Sequence, residues 1–362
     1  MKEYFLDANA HLPLNKSAIE ALVKFNGELG SHGHPLAFSK PSREANKLFE
    51  DARSEIASMI GAKNSNQIVF TAGCTQACEW AVKIIINRFE RLCEEQNSII
   101  CSSFEHPAIK QAYEYYSRPT LSLKYSTKNI DGKFLSSSNK DYVICTFLQN
   151  EIGLIYDPRS IDHEYILSDM SQALGKIFVS VSELNVDIAT FGSHKFGGPT
   201  GFGFMYLKDT DDWEQFGTGS RYFTDRTGTP DVLGAVMTAA ALKYSLETLE
   251  ERNNNMCAFR NILETELESI GAEIVCKNSF RCANTTFAYV PSRAMKLVHE
   301  LGKYGIYIGL GSACGSIYTG RAPILSALCL DGDSEDYVRI SQFGYYNESD
   351  AKYICDIIKK VW

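Results

Sequence analysis

The chain has no C-x-x-C pair and no paired cysteine and histidine cluster, so its eleven cysteines do not spell a zinc site. It has no apolar run long enough to cross a membrane, and Met1-Lys-Glu-Tyr-Phe carries no secretion-signal pattern. These absences lead us to expect a cytoplasmic protein with no membrane association. Without export, its thiols should stay reduced. An excess of positive charge is missing too. Against 36 basic residues stand 44 acidic ones, a net charge of −8, which argues against direct nucleic-acid binding. There is no internal repeat and no low-complexity tract.

What is present fits a large soluble globular chain: 362 residues, 44% hydrophobic and 22% charged. That length can bury a sizeable core and suggests one large and one smaller domain. Cys101, Cys145 and Cys355 sit among apolar neighbours and read as buried hydrophobes. Cys74 and Cys78, four apart on a predicted helix, read as two small core residues rather than a metal clip. No metal is expected.

Helical periodicity is clear over Ala45, Leu48, Phe49, Ala52, Ile56, Met59 and Ile60, and again over Ala77, Trp80, Ala81, Ile84 and Ile85. Between such stretches lie strand-like runs at Gln67 to Phe70, Ser98 to Cys101, Tyr142 to Phe147, Ile166 to Ser168, Val186 to Phe191 and Gly203 to Leu207. The alternation predicts an α/β fold with a mainly parallel sheet, where ligands gather at the carboxyl ends of strands. Asp231 to Ile270 reads as helix broken near Asn253-Asn-Asn255, crossing into a second domain. That domain should hold a strand near Thr285 to Val290, a helix over Pro291 to Gly302 and a terminal helix from Glu348. Tyr125 to Asp141 is polar and reads as a surface excursion.

Candidate chemistry follows the strand ends. Thr190-Phe-Gly-Ser-His-Lys-Phe-Gly-Gly-Pro-Thr-Gly-Phe-Gly203 sets Lys195 behind an apolar run and ahead of a glycine-proline turn. In a crowded site a lysine amine can be kept partly neutral and attack an aldehyde. Pyridoxal phosphate is anchored in that way, with a separate acid on its pyridine nitrogen. Ile166-Leu-Ser-Asp-Met-Ser-Gln172 supplies the acid, Asp169, together with Gln172. Thr75 follows Ala72-Gly73 at a predicted helix start, which suits either an anion site or a simple cap. His106 precedes Pro107, which fits the first helical position.

Nine segments in order carry a resemblance across nearly the whole length: Phe5-Leu-Asp-Ala-Asn-Ala10, Phe70-Thr-Ala-Gly-Cys-Thr-Gln76, Glu105-His-Pro107, Gln149-Asn-Glu-Ile-Gly153, Asp169-Met-Ser-Gln172, Ser193-His-Lys195, Arg226-Thr-Gly-Thr229, Gly311-Ser-Ala-Cys314 and Val338-Arg-Ile-Ser341. This set resembles the cysteine desulfurase branch of the class V, fold-type I pyridoxal phosphate enzymes. The resemblance implies a large domain over 13–250 built on a mainly parallel seven-stranded sheet. It also implies a smaller α+β domain from 1–12 and 251–362 that carries a mobile cysteine loop.

By the same resemblance, Lys195 holds the cofactor. His106 stacks on its ring and handles protons, and Asp169 pairs with the ring nitrogen. Gln172 and Asn150 bond its phenolic oxygen and the substrate, and Thr75, Ser193 and His194 reach its phosphate. Thr229 would serve the phosphate of a neighbouring subunit, making a homodimer. Arg339 would grip the carboxylate of L-cysteine. Cys314, in the glycine-rich stretch Ile308 to Ser316, would take the substrate's sulfur as a persulfide and pass it to an acceptor protein. Iron–sulfur assembly, thiolation and nucleic-acid sulfur modification all draw on such enzymes.

The pattern departs at His11 and Leu12, at Gly33 and His34, at Gly192 where a serine is expected, and at Gly217-Thr-Gly-Ser-Arg221. Three other readings therefore stay open: a related lyase or aminotransferase, a selenocysteine-directed lyase, and a catalytically silent binding subunit.

Overall fold

Short apolar runs become strands buried on both faces, and longer runs of helical period become the helices that cover them. The structure is a computed structural model describing residues 2–92, 98–117, 123–126, 138–214, 229–311 and 323–362. Its strands are β1 (Tyr4–Leu6), β2 (Ile68–Thr71), β3 (Ile99–Ser102), β4 (Leu123–Ser126), β5 (Tyr142–Ile144) and β6 (Tyr165–Asp169). They continue with β7 (Ile188–Gly192), β8 (Gly203–Leu207), β9 (Glu273–Ile274), β10 (Thr285–Tyr289), β11 (Ile306–Leu310) and β12 (Tyr337–Ser341). The helices are α1 (Lys16–Asn26), α2 (Lys40–Met59), α3 (Cys74–Leu92), α4 (Pro107–Tyr116) and α5 (Asp211–Glu214). After these come α6 (Val232–Glu247), α7 (Leu249–Ser269), α8 (Ala294–Gly302), α9 (Pro323–Ala327) and α10 (Glu348–Val361). No described helix is long and apolar enough to cross a membrane.

The larger sheet has seven strands in the order β2-β8-β7-β6-β5-β3-β4. β8 runs antiparallel to both its neighbours, and the other pairings are parallel. Alternate residues feed opposite faces. Phe70, Ile166, Ala189 and Phe204 join a core with Phe49, Ala52 and Ile56 of α2. Val69, Leu167, Ile188 and Met205 join a second core with Ala77, Ala81 and Ile85 of α3. This period of two is the pleat itself. Burying each such large aliphatic chain stabilises by roughly 1.5–3 kcal/mol.

A second sheet, in the order β1-β11-β12-β10-β9, packs under α7, α8 and α10 through Leu6, Phe259, Leu263, Leu297, Ile340 and Ile354. The N-terminal strand thus joins the C-terminal sheet, and Asp7 bridges to Ser341.

Helix α8 starts at Ala294, three residues later than expected, and the break between the two long helices also differs from the sequence expectation. The break falls at Thr248, whose N–H and hydroxyl both bond the Tyr244 carbonyl, and Asn253-Asn-Asn255 continues inside α7. Tertiary contacts outweigh the weak helix preference of asparagine there. Arg252 donates to the carbonyls of Gly175, Ser245 and Phe343, and Asn255 donates to Gly344.

Candidate active site

The carboxyl ends of β2, β3, β5, β6 and β7 share one edge of the larger sheet, and their loops enclose a cavity of about 450 Å³. That volume is ordinary for a small-molecule site. Asn9, Thr75, His106, Asn150, Asp169, Gln172, His194 and Lys195 all line it. Asp169, the last residue of β6, pairs in register with Thr190 of β7. Its Oδ1 accepts from Thr190 Oγ1 at 3.1 Å and from Ser171 N at 3.0 Å, so the carboxylate is aimed by its own strand neighbours.

After β7 a single 3₁₀ turn, Ser193–Lys195, lifts Lys195 into the cavity. Its Nζ donates to the carbonyls of Asn9 at 2.7 Å and Ala10 at 2.8 Å. β8 then starts at Gly203, which faces both Thr71 and Gly192. A Cβ at Gly203 would stand 2.7 Å from Gly73 and from Phe191 O, so only glycine lets the start of α3 lie against the end of β7.

The α3 N-terminus opens into this space. Gly73 (φ +114°) and Gly201 (φ +76°) line the cavity in the left-handed region, and a Cβ at either would meet nothing within 4 Å, so the backbone lies bare there. A helix start leaves free N–H groups and a positive dipole end, the setting that cradles a phosphate. With a lysine and a buried carboxylate in the same cavity, the donor set fits pyridoxal phosphate.

Two histidines face the cavity as largely neutral rings. Burial pushes His106 below its usual range, opposed by Asp169 and assisted by Lys195. His106 caps α4, its Nδ1 accepting from Ala108 N at 3.1 Å. Burial, helped by the Lys195 charge, brings His194 down to about 4, and its ring stacks on His11 at 5.7 Å.

Other expected site residues lie elsewhere. Ser193 is fully buried with its hydroxyl 2.7 Å from Thr238 Oγ1 of α6, so it turns away from the phosphate position expected for it. The tight turn that delivers Lys195 points the residue two before it to the opposite side. Arg339 is wholly buried and donates through Nε and Nη2 to Asp7 Oδ1, at 3.2 and 2.6 Å. Its Nη1 lies 3.5 Å from the Asn150 carbonyl. Thr229 is exposed just ahead of Pro230. Cys314, Arg226 and Gly217 to Arg221 lie outside the described residues.

Several residues were not anticipated. Asn9 is a hub: Nδ2 donates to Thr285 Oγ1 at 2.8 Å and to Asn150 O at 3.0 Å, while Oδ1 accepts from Asn284 and Lys176. Its carbonyl receives Gln172 as well as Lys195. Lys176 is fully buried on Asn9 and Gln172, and burial brings its amine down to about 7. The only sequence signal was a lysine within Ala173-Leu-Gly-Lys-Ile-Phe.

The departures acquire physical causes. A Cβ at Gly192 would lie 3.1 Å from Cys74 Cβ, so Cys74 crowds the serine expected there. A Cβ at Gly33 would meet the Pro41 backbone at 2.3 Å. Leu12 is a buried core residue.

The family model for class-V aminotransferases matches residues 4–351. The chain belongs to that family, whose members depend on pyridoxal phosphate. Among its relatives is a cysteine desulfurase IscS of Dictyoglomus turgidum, 28% identical, with 99% of this chain and 94% of the relative covered. Another is the cysteine desulfurase IscS of Methanosarcina thermophila, 26% identical over 90% of this chain and 83% of the relative. A solved structure titled NifS-like protein superposes with a TM-score of 0.84 at 25% identity, covering 99% of both chains.

Proposed function

We propose that this chain is a cysteine desulfurase that converts L-cysteine to L-alanine and stores the released sulfur as a persulfide on Cys314. The observation carrying the reading is the convergence of Lys195, Asp169 and the α3 N-terminus on one cavity. The cysteine desulfurase names of its relatives supply the substrate. Pyridoxal phosphate, when bound, supplies the electron sink that weakens bonds at the substrate's α and β carbons.

In this reading Lys195 holds the cofactor and later moves the α-proton. Asp169 would pair with the cofactor's ring nitrogen, Gln172 and Asn150 would bond its phenolic oxygen and the substrate, and Thr75, His194 and the α3 N–H groups would hold the phosphate. His106, half-buried and largely neutral, would accept a proton beside the ring. Arg339 would grip the substrate carboxylate only by releasing Asp7 and the Asn150 carbonyl, which hold it buried in the unliganded chain. The balance is simple: the cysteine C–S bond breaks, an S–S bond to Cys314 forms, and the thiol hydrogen of Cys314 ends on alanine.

The reading extends to a division into a large unit over 13–250 and a small one from 1–12 and 251–362. It extends also to a cytoplasmic homodimer in which Thr229 serves the neighbouring subunit. Exposed Ile19, Val23, Leu29, Leu36 and Phe38, close in sequence, supply apolar surface for such a contact. The persulfide would pass to the thiol of an acceptor protein, as in iron–sulfur assembly. The test is to incubate the enzyme with L-cysteine and a thiol reductant, which releases the persulfide's outer sulfur as sulfide, and to follow alanine and sulfide in wild type and Cys314→Ala. Wild type should form both and the variant should lose alanine formation; equal alanine from the variant overturns the persulfide route.

A further inference from the structure

At the start of α3, Cys74 and Cys78 present their sulfurs on one helix face, 3.5 Å apart. Asp169 Oδ1, brought in from the end of β6, lies 4.0 Å from Cys74 Sγ, and all three donor atoms fall within 4.8 Å of one another. We propose that Cys74, Cys78 and Asp169 form a binding site for a soft divalent cation of the zinc class, filled when the cofactor is absent and vacated when it binds.

The dimensions suit such an ion. With metal–sulfur bonds of about 2.3 Å and tetrahedral angles, neighbouring ligand atoms stand about 3.8 Å apart. The 3.5 Å sulfur–sulfur separation falls just below that value, and the 4.0 Å sulfur–oxygen separation just above the ~3.5 Å expected with a metal–oxygen bond of about 2.0 Å. A supporting shell is already in place. Asp169 Oδ1 is held by Thr190 Oγ1 and Ser171 N, and Thr190 Oγ1 also lies 3.6 Å from Cys78 Sγ. Outer contacts of this kind orient ligands and raise affinity.

A water from the cavity completes four-coordination, and Ser171 Oγ, 2.6 Å from Cys74 Sγ, would donate to that thiolate. Access is open, because Cys74, Asp169 and Ser171 line the cavity while Cys78 closes the inner end. On binding, two S–H bonds give way to two metal–sulfur bonds and both protons leave to solvent, with no redox partner needed.

The displacement half rests on the reading of Asp169 as the carboxylate facing the cofactor ring. A dication and a protonated ring nitrogen repel each other across one carboxylate. The cysteine spacing alone pointed to a core pair because its third ligand lies 95 residues away along the chain.

The test titrates Zn²⁺ alone into the full-length, cofactor-free protein against a chromophoric chelator, for wild type, Cys74→Ala and Cys78→Ala. In parallel, Cd²⁺ is added to wild type and its thiolate ultraviolet band is followed before and after pyridoxal phosphate, a readout that needs no variant. Each variant should bind one tight equivalent fewer than wild type, or bind it at least about tenfold more weakly. The cofactor should release that equivalent and reduce the band. Equal stoichiometry and affinity in all three proteins, with normal cofactor absorbance, overturns the metal site and leaves the desulfurase reading untouched. An equivalent lost in the variants but retained in wild type after full cofactor loading overturns the displacement, and with it the placement of the cofactor on Asp169.

Discussion

The two walls of the cavity are built by different means. On the sheet side Asp169 and Lys195 take their positions from backbone register, Asp169 as the last residue of β6 and Lys195 in the turn after β7, both strands of five residues. On the opposite side the Asn9 side chain joins the side chains of Thr285, Asn284 and Lys176 and the Asn150 carbonyl, while its own carbonyl receives Gln172. Asn9 and Thr285 are 276 residues apart. The first wall is stiff because a ladder must break to move it. The second holds only while every polar partner is present, since each buried group left unmatched costs about 1–3 kcal/mol.

The largest effect should come from the side-chain wall. Arg281 forms a two-point ion pair with Glu264, at 3.0 and 3.1 Å, and donates to the Thr285 carbonyl. Both partners are almost wholly buried. Arg281→Ala strands the Glu264 charge and should cost about 3–5 kcal/mol in urea unfolding. A loss under about 1 kcal/mol would show that this wall is not held as described.

The sheet wall offers a smaller, sharper test. Gly192→Ser should cost about 1–3 kcal/mol through overpacking against the Cys74 Cβ, and Cys74→Gly, which removes that atom, should recover most of it in the same chain. Additive losses would mean that Cys74 does not occupy the serine's space.

Lys176 should reveal itself through pH. Its folded-state amine titrates at about 7, below the ordinary 10.5, so between these values the unfolded chain carries the extra proton. Stability should therefore rise with pH across that window, by about 1.4 kcal/mol per unit from this group, with the penalty fully present below about 7. Lys176→Met should flatten the slope; an unchanged slope assigns it to other groups.

This contrast also explains what could be read from the sequence. Strand ends are marked by apolar runs that stop, so the β2, β6, β7 and β8 runs, and Asp169 and Lys195 after two of them, were legible. The sequence reads Ser193 as a phosphate ligand, whereas its hydroxyl bonds Thr238, because a 3₁₀ turn changes which side consecutive residues face. Asn9 and Lys176 gave little signal, since an asparagine in a turn and a lysine after a glycine are common, and their meaning comes from partners far along the chain. The helix break was sought at the asparagine triplet because local preference cannot anticipate that Arg252 ties this stretch to three distant carbonyls.

Borohydride reduction of the cofactor-loaded enzyme, followed by peptide mass mapping, addresses the central claim most directly. Among the described residues two buried or half-buried lysines stand by this cavity, Lys195, which lines it, and Lys176, which lies behind Asn9 and Gln172. The trapped cofactor should sit on Lys195 alone; finding it on Lys176, or on no lysine, would contradict the account.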